Sequence, residues 1–274
     1  MSEPTGVAGL TEVTEPTEMA DPTDVAGLAE VAEPTGLARL TEVAGSNGAD
    51  EGPGPTDGGP GPTEWTAGEP VGVGPWPGGP DEWPTDPRYD PELLRDGDRR
   101  NVVDAYRYWR RPAIVADIDA RRHPFHVAIE NFGHDHNIGT VVRTANAFAA
   151  AAVHIVGRAR WNRRGAMVTD RYQHLHHHPS VADLLVFAAE HGLAVVAVDN
   201  SPGSVRLERA SLPRECLLLF GAEGPGVSAE ALAGAALTVS IAQFGSTRSI
   251  NAGVAAGVAM HAWIRQHADL NTAW

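Results

Sequence analysis

Leu237-Thr-Val-Ser-Ile-Ala-Gln-Phe-Gly-Ser-Thr-Arg-Ser-Ile-Asn-Ala-Gly-Val-Ala-Ala-Gly-Val-Ala-Met-His261 reads as three consecutive elements. Leu237 to Ile241 is a short apolar strand. Gln243 to Arg248 is a polar loop. The remainder is a small-residue helix that Ser249 is placed to cap. Polar loops held between buried elements are where binding and catalytic side chains collect. Gly253 and Gly257 lie four apart on one helical face. Glycine is unfavourable inside a helix, so both point to close packing against a loop or a second subunit.

Upstream the same alternation recurs. Phe125–Glu130 is expected as a strand, and Ile138–Ala150 as a helix with Asn137 as its N-cap. Ala152–Val156 follows as a strand, then an Arg-rich loop. A helix from Ser180 to His191 ends at Gly192. Leu193–Val198 and Cys216–Phe220 are strands, Ser228 caps a short helix to about Gly234, and the final helix runs to about Gln266. Near-continuous apolar strands alternating with helices predict an α/β domain, with a mostly parallel sheet covered by helices on both faces. Loops 131–137, 199–204, 221–227 and 242–248 then gather beyond the carboxyl ends of the strands, where such sheets bind ligands.

Before this domain, residues 1–95 are low-complexity. Val7-Ala-Gly-Leu-Thr-Glu-Val13 returns as Val25-Ala-Gly-Leu-Ala-Glu-Val31 at irregular spacing, and Gly and Pro dominate from Gly45 to Pro80. Such a segment buries too little apolar area to offset its ordering entropy, so a disordered acidic arm is expected. An electrostatic mimic that competes with RNA is the functional alternative for it. Residues 96–122 form a basic and aromatic lead-in, with Arg107, Arg110 and Arg111 beside Tyr106, Tyr108 and Trp109. Asn101 to Arg111 is expected to be a helix that Pro112 ends. Its aromatics pack on the core, or the surface contacts RNA through phosphate binding and base stacking. The domain proper is placed at 123–274.

The formal charge of −14 misleads, because acids and bases are unevenly divided. Residues 1–69 hold 14 acids against Arg39 alone, whereas residues 100–274 hold 17 Arg against 14 acids. All 21 basic residues are Arg. Without Lys there is no Walker-type phosphate loop and no Schiff-base chemistry. Arg forks suit phosphate. Cys216 is the only cysteine and lies in an apolar run, which excludes an internal disulfide and a multi-Cys zinc site and suggests an inert core thiol. No basic-then-apolar secretory signal opens the sequence, and no apolar run approaches the roughly 20 residues of a membrane span. A cytoplasmic protein without a membrane partner is expected.

Three constellations carry chemistry. In Asn131-Phe-Gly-His-Asp-His-Asn137-Ile-Gly-Thr-Val-Val-Arg143-Thr-Ala-Asn146, Asn137 reads as a cap. Arg143, among Val141, Val142 and Ala145, reads as a largely buried cation in need of an anionic partner. Phe220-Gly-Ala-Glu223-Gly-Pro-Gly226-Val-Ser228 allows tight turns and close backbone approach, with Glu223 unusual for a mere turn. It is not GxGxxG. The third constellation is the stretch quoted first. His174, His176, His177 and His178 do not complete a metal site, and a solvated loop facing RNA is expected there.

In order and spacing these constellations resemble the three motifs of the SpoU (TrmH) family of RNA ribose methyltransferases, within the SPOUT superfamily. The matching pieces are Asn137 with Arg143-Thr-Ala, Gly221-Ala-Glu223-Gly-Pro-Gly226, and Ile241 followed by a loop and Ser249-Ile-Asn251. Ala242-Gln243 stands where the family has Pro-Met, and Ile250 where it has Leu. The resemblance implies a C-terminal trefoil knot, S-adenosylmethionine as cofactor, a homodimer, and methyl transfer to a ribose 2′-hydroxyl of tRNA or rRNA, with no metal. It places Asp199, Gly221, Glu223, Gly226, Ile241, Ser249 and Ile250 at the cofactor. Arg143, Asn137, Glu223 and Asn251 fall at the reacting ribose. RNA is expected on Arg107, Arg110, Arg111, Arg143, Arg160, Arg163, Arg164, Arg171 and Arg248. The competing readings are a non-catalytic RNA-binding or ribosome-assembly factor on the same fold, and a generic nucleotide-binding enzyme, which the missing Lys and missing GxGxxG disfavour.

Overall fold

The structure is a computed structural model that describes residues 72–130 and 132–271. The expected arm up to residue 71 lies outside the described residues. Seven strands form one parallel sheet: β1 (His126–Glu130), β2 (Val153–Val156), β3 (Leu175–His178), β4 (Ala194–Val198), β5 (Val205–Arg206), β6 (Cys216–Phe220) and β7 (Leu237–Ser240). Their spatial order is β3-β2-β1-β6-β4-β7-β5. β1 leads outward to β2 and β3, whereas β4 crosses to the other half and β6 returns between them. That reversal opens a crevice at the carboxyl ends of β1, β6, β4 and β7.

Alternate residues of each strand enter two cores. Val127, Ile129, Leu218, Phe220, Val196 and Val239 pack with α3 (Asp135–Ala147) and α6 (Ala252–His267). Ala128, Leu217, Leu219, Val195 and Ala197 pack with α4 (Val181–Glu190) and α5 (Ala229–Gly234). Burial on both faces accounts for the unbroken apolar runs. Ser180 and Asp183 form a reciprocal capping box at α4, and Ser228 caps α5. Cys216 is fully buried, and burial pushes its thiol up to about 12, so the expected inert core thiol holds.

Four expectations change. First, the folded unit begins well before residue 96. Helix α1 (Pro91–Asp96) is capped by Asp90, and Trp76 packs edge-on against Tyr89 and Tyr108. The fully buried Asp98 accepts from the Tyr108 N–H and from Arg100. Burial acts to raise its pKa, but these hydrogen bonds outweigh burial and keep it ionised. Second, Pro112 does not end a helix over 101–111. That segment holds only a 3-10 turn at Asp104–Tyr106, and Pro112 sits in the first turn of α2 (Arg111–Asp119). Proline lacks an N–H that a first turn does not use anyway. Third, Gly253 and Gly257 face α3. A Cβ at Gly253 would lie 3.1 Å from Thr140 Cγ2, and one at Gly257 3.8 Å from Thr144 Cγ2.

Fourth, His174 to His178 is no loop but mostly the edge strand β3. His126 Nδ1 and His154 Nε2 are 2.9 Å apart, as are His154 Nδ1 and His178 Nε2. Phe187 of α4 packs against this row. Neutral rings can donate with one nitrogen and accept with the other, so the row is satisfied without charge. Burial, reinforced by the neighbouring imidazoles, pulls His126 down to about 4 and His154 down to about 2. No helix of the described residues is long and apolar enough to cross a membrane.

A base whose folded pKa is depressed stabilises the fold fully above its unfolded value, about 6.5, and loses that contribution as pH falls below it. His154 alone is then expected to withdraw about 1.4 kcal/mol per pH unit below 6.5. Thermal melts should show the melting temperature falling steadily between pH 6.5 and 4.5. His154→Gln, which does not titrate, should flatten that slope; an unchanged slope would show that the imidazole row does not carry the pH dependence.

Candidate active site

The crevice is a cavity of about 710 Å³ whose walls come from all four loops expected to gather there. It is lined by His134, His136 and Asn137 after β1, by Asp199 and Asn200 after β4, and by the whole Gly221–Gly226 turn after β6. Ile241, Gln243 and Ser249–Ala252 line it after β7. Nine of the sequence-derived residues therefore converge: Asn137, Asp199, Gly221, Glu223, Gly226, Ile241, Ser249, Ile250 and Asn251.

The loops are tied by side chains. Glu223 Oε1 accepts from Asn137 Nδ2 at 2.8 Å, and its Oε2 accepts from the Gly133 N–H at 2.7 Å. Asn137 Oδ1 in turn accepts from Asn251 Nδ2 at 3.0 Å. One amide thus bridges a residue from each of the other two constellations. Burial acts to raise the Glu223 pKa, but the bonds from Asn137 and from backbone N–H groups prevail and hold it below the usual range. Glu223 is ionised and spends both oxygens on positioning.

The backbone approaches itself closely in the same place. A Cβ on Gly221 would lie 2.0 Å from Gly226 C, so no other residue fits there. Gly226 takes φ +78, and a Cβ on it would meet Asp199 Oδ2 at 2.6 Å. That oxygen accepts from the Val227 N–H at 3.0 Å, which fixes the β6 turn to the β4 loop. Asn200 Nδ2 donates to Arg248 O at 2.6 Å, fixing the β4 loop to the loop after β7.

Two expected caps are corrected. His134, not Asn137, is the N-cap of α3, and Asn137 stands in its first turn with its side chain turned to Glu223. Asn251, not Ser249, caps α6, accepting from the Val254 N–H. Asn251 therefore uses its oxygen on its own helix and its nitrogen on Asn137.

Arg143 departs most from expectation. It is exposed on α3, does not line the cavity, and has no bonded partner among the described residues. Its stripe is the outer face of α3, opposite the buried Val141, Val142 and Ala145. Of the other arginines, Arg107 is drawn into the fold through Arg100 O and Asp104. Arg110 bonds Tyr89 O and Arg163 pairs with Asp170. Arg111, Arg160, Arg164, Arg171 and Arg248 are exposed without an ion pair among the described residues. The 3-10 turn Arg163–Ala166 is clamped to α3, because a Cβ on Gly139 would lie 2.3 Å from Gly165 C.

Two site features escaped the sequence. Glu130, almost fully buried at the end of β1, accepts from the Ser228 N–H at 3.1 Å and anchors the far side of the β6 turn. Gln243 lines the cavity with Oε1 buried and unpaired. An acidic residue closing an apolar strand was the available signal for Glu130; no local pattern marks Gln243.

The sequence model of the SpoU rRNA Methylase family matches residues 124–261. The chain is 28% identical over 160 residues to a tRNA (guanosine(18)-2′-O)-methyltransferase of Escherichia coli, covering 57% of this chain and 70% of that protein. It is 29% identical over 161 residues to the protein of that name from Thermus thermophilus, covering 56% and 80%. Among solved structures, the A. aeolicus TrmH/SpoU tRNA modifying enzyme superposes with TM-score 0.52 at 22% identity, over 57% of this chain and 81% of that one. The SpoU methyltransferase AviRb from Streptomyces viridochromogenes, in complex with AdoMet, superposes with TM-score 0.50 at 24% identity, over 55% and 60%. At these identities the two structures speak for the fold.

Asn137→Ala leaves one oxygen of Glu223 and the amide of Asn251 without their partner. A loss of about 1–3 kcal/mol is expected, read as a lower denaturant midpoint at unchanged slope. A midpoint equal to that of the unsubstituted protein would show that the three loops are held by something else.

Proposed function

Because the chain belongs to the SpoU rRNA Methylase family, we propose that it transfers a methyl group from S-adenosylmethionine to a ribose 2′-hydroxyl of RNA. The observation that carries this reading is the bonded series Glu223–Asn137–Asn251, which joins all three family motifs on the wall of one cavity. The relatives named for tRNA 2′-O-methylation support RNA as substrate and make tRNA the first to test.

The cavity suits the cofactor. Its volume falls in the range of small-molecule sites, its turn brings backbone rather than side chains to the wall at Gly221 and Gly226, and it contains an unpaired buried acceptor. Asp199, Gly221, Gly226, Ile241, Ser249 and Ile250 would hold the cofactor, with Glu223 behind Asn137. When bound, S-adenosylmethionine supplies a methyl group on a sulfonium that leaves as a neutral thioether. Orientation of the two reactants supplies much of the rate in such a transfer, and the tied loops provide it.

The 2′-hydroxyl must lose its proton. Glu223 is held ionised with a lowered pKa and both oxygens occupied, which makes it a weak base. A guanidinium stays protonated in proteins, so Arg143 serves by binding a phosphate oxygen beside the reacting ribose, and that oxygen takes the proton.

The exposed position of Arg143 fits a homodimer. α3 and α6 cross at Thr140, Thr144, Gly253 and Gly257. Beside this crossing α6 exposes Val254 and Val258, preceded by the exposed Ile250. Pairing of two copies across this apolar face would bury it and bring Arg143 of one copy to the cavity of the other. Family membership also supports a trefoil knot in the C-terminal part. The exposed Arg160, Arg164, Arg171 and Arg248 provide a phosphate-binding surface.

RNA incubated with the protein and methyl-labelled S-adenosylmethionine, then digested to nucleosides, is expected to yield label in a 2′-O-methylnucleoside. Label confined to a base would overturn the assignment. Val254→Glu is expected to give a monomer by light scattering and to lower turnover at least tenfold; a fully active monomer would remove the second copy from the site. Arg143→Ala should abolish turnover and leave cofactor affinity within about twofold.

A further inference from the structure

Met167 and Val168 form the tip that follows the 3-10 turn Arg163–Ala166. Both take left-handed backbone, at φ +48 and +72. Such positions normally fall to Gly or Asn, and a β-branched side chain suits them poorly. Both side chains are also exposed, at 54% and 48%. The conformation is imposed from either side. Ala166 is fully buried and Thr169 nearly so, and Thr169 Oγ1 donates to Ala166 O at 2.5 Å. The chain therefore dives into the protein before and after the tip and pushes the two residues outward. The Met167 N–H closes the preceding turn on Arg164 O, and Val168 O accepts from the Arg171 N–H. Neither side chain joins a hydrophobic core among the described residues.

Resting on the reading above that RNA is the substrate, we propose that Met167 and Val168 are an apolar wedge that enters between neighbouring bases of that RNA. Backbone strain over-determined by its surroundings collects where a protein meets its ligand. Apolar side chains of this kind unstack base steps in nucleic-acid complexes, and single-stranded RNA loops offer bases that splay apart. The charge around the tip suits this partner. Residues 157–172 hold five Arg against Asp170 alone, and Arg160, Arg164 and Arg171 are exposed. The arginines take phosphates while the tip takes the bases. Two copies meeting symmetrically at this tip would instead set these cations against one another. The location suits it too. A Cβ on Gly165 would lie 3.5 Å from His136 Cα, and His136 lines the cavity. Met167 follows two residues later, about 7 Å of chain at most, so an RNA whose ribose reaches the cavity passes the tip. The contact of Gly139 with Gly165 holds the wedge fixed to α3.

The double substitution Met167→Asn with Val168→Asn tests this, because Asn accepts left-handed backbone and presents little apolar surface. The full chain carrying it is expected to melt no lower than the unsubstituted protein. It should bind fluorescein-labelled tRNA and rRNA roughly tenfold more weakly by anisotropy. Its affinity for inorganic polyphosphate, a polyanion without bases, should be unchanged. Met167→Leu with Val168→Ile keeps the apolar tip and should bind RNA as the unsubstituted chain does. Unchanged RNA affinity in the Asn variant overturns the inference, and so does an equal loss of affinity for polyphosphate. A loss of RNA affinity that accompanies dissociation to monomers in light scattering also overturns it, because the tip then serves a second copy. Each of these results leaves the methyltransferase reading intact. An unsubstituted chain that binds neither RNA overturns that reading and the inference together.

Discussion

Everything at the site depends on one primary amide. Asn137 donates to Glu223 and accepts from Asn251, so residues 86 and 114 positions away are fixed to the first turn of α3. A carboxylate that accepts from an amide and a backbone N–H stays ionised while partly buried, because those bonds exist only with the charged form. The charge on Glu223 in turn sets the orientation of Asn137, since only the amide nitrogen can face it. That leaves the amide oxygen to Asn251, and the orientation of Asn251 sets the cap of α6. A chain of donors and acceptors with one consistent direction turns three separate loops into one wall.

The scaffold makes such a wall possible. A parallel sheet buried on both faces puts four strand ends side by side, and the reversal of strand order between β1 and β6 keeps helices from covering them. The glycines then set how near the passes come. Gly221 lies against Gly226, Gly139 against Gly165, and Gly253 against Thr140. The first and last contacts bring the turn after β6 and the last helix to the cavity, and the second clamps the arginine turn to α3. α3 takes part in two of the three, which is why so much of the site radiates from its N-terminal half.

The fold was largely legible because its signal is periodic. Apolar runs such as Leu217-Leu218-Leu219 have one physical explanation in an alternating chain, and the strand ends follow from it. The gathering of Asp199, Gly221, Glu223, Ile241 and Asn251 was also legible, since loops beyond parallel strands share an edge. Side-chain direction was not. Asn137 precedes an apolar helical run and so looks like a cap, but α3 starts at Asp135 and turns Asn137 towards Glu223. Arg143 follows two valines and looks buried, yet the helical repeat carries it to the outer face. The histidines of β3 look like a solvated loop because each is polar; only sheet pairing shows that His178 and His154 satisfy one another. Residues 72–95 look like low-complexity chain because Trp76 and Tyr89 are scattered among Gly and Pro. Their partners, Tyr108 and Trp109, come from later in the sequence.

The most direct measurement of the central claim is the affinity of Glu223→Gln for S-adenosylmethionine, determined by calorimetry beside the unsubstituted chain. The substitution preserves shape but keeps one acceptor oxygen, so it turns a donor towards either Asn137 Nδ2 or the Gly133 N–H, both of which need an acceptor. If the bonded series shapes the cavity, affinity should fall at least tenfold, about 1.4 kcal/mol, with the far-ultraviolet circular dichroism of the α/β sheet retained. Affinity equal to that of the unsubstituted chain would contradict the account.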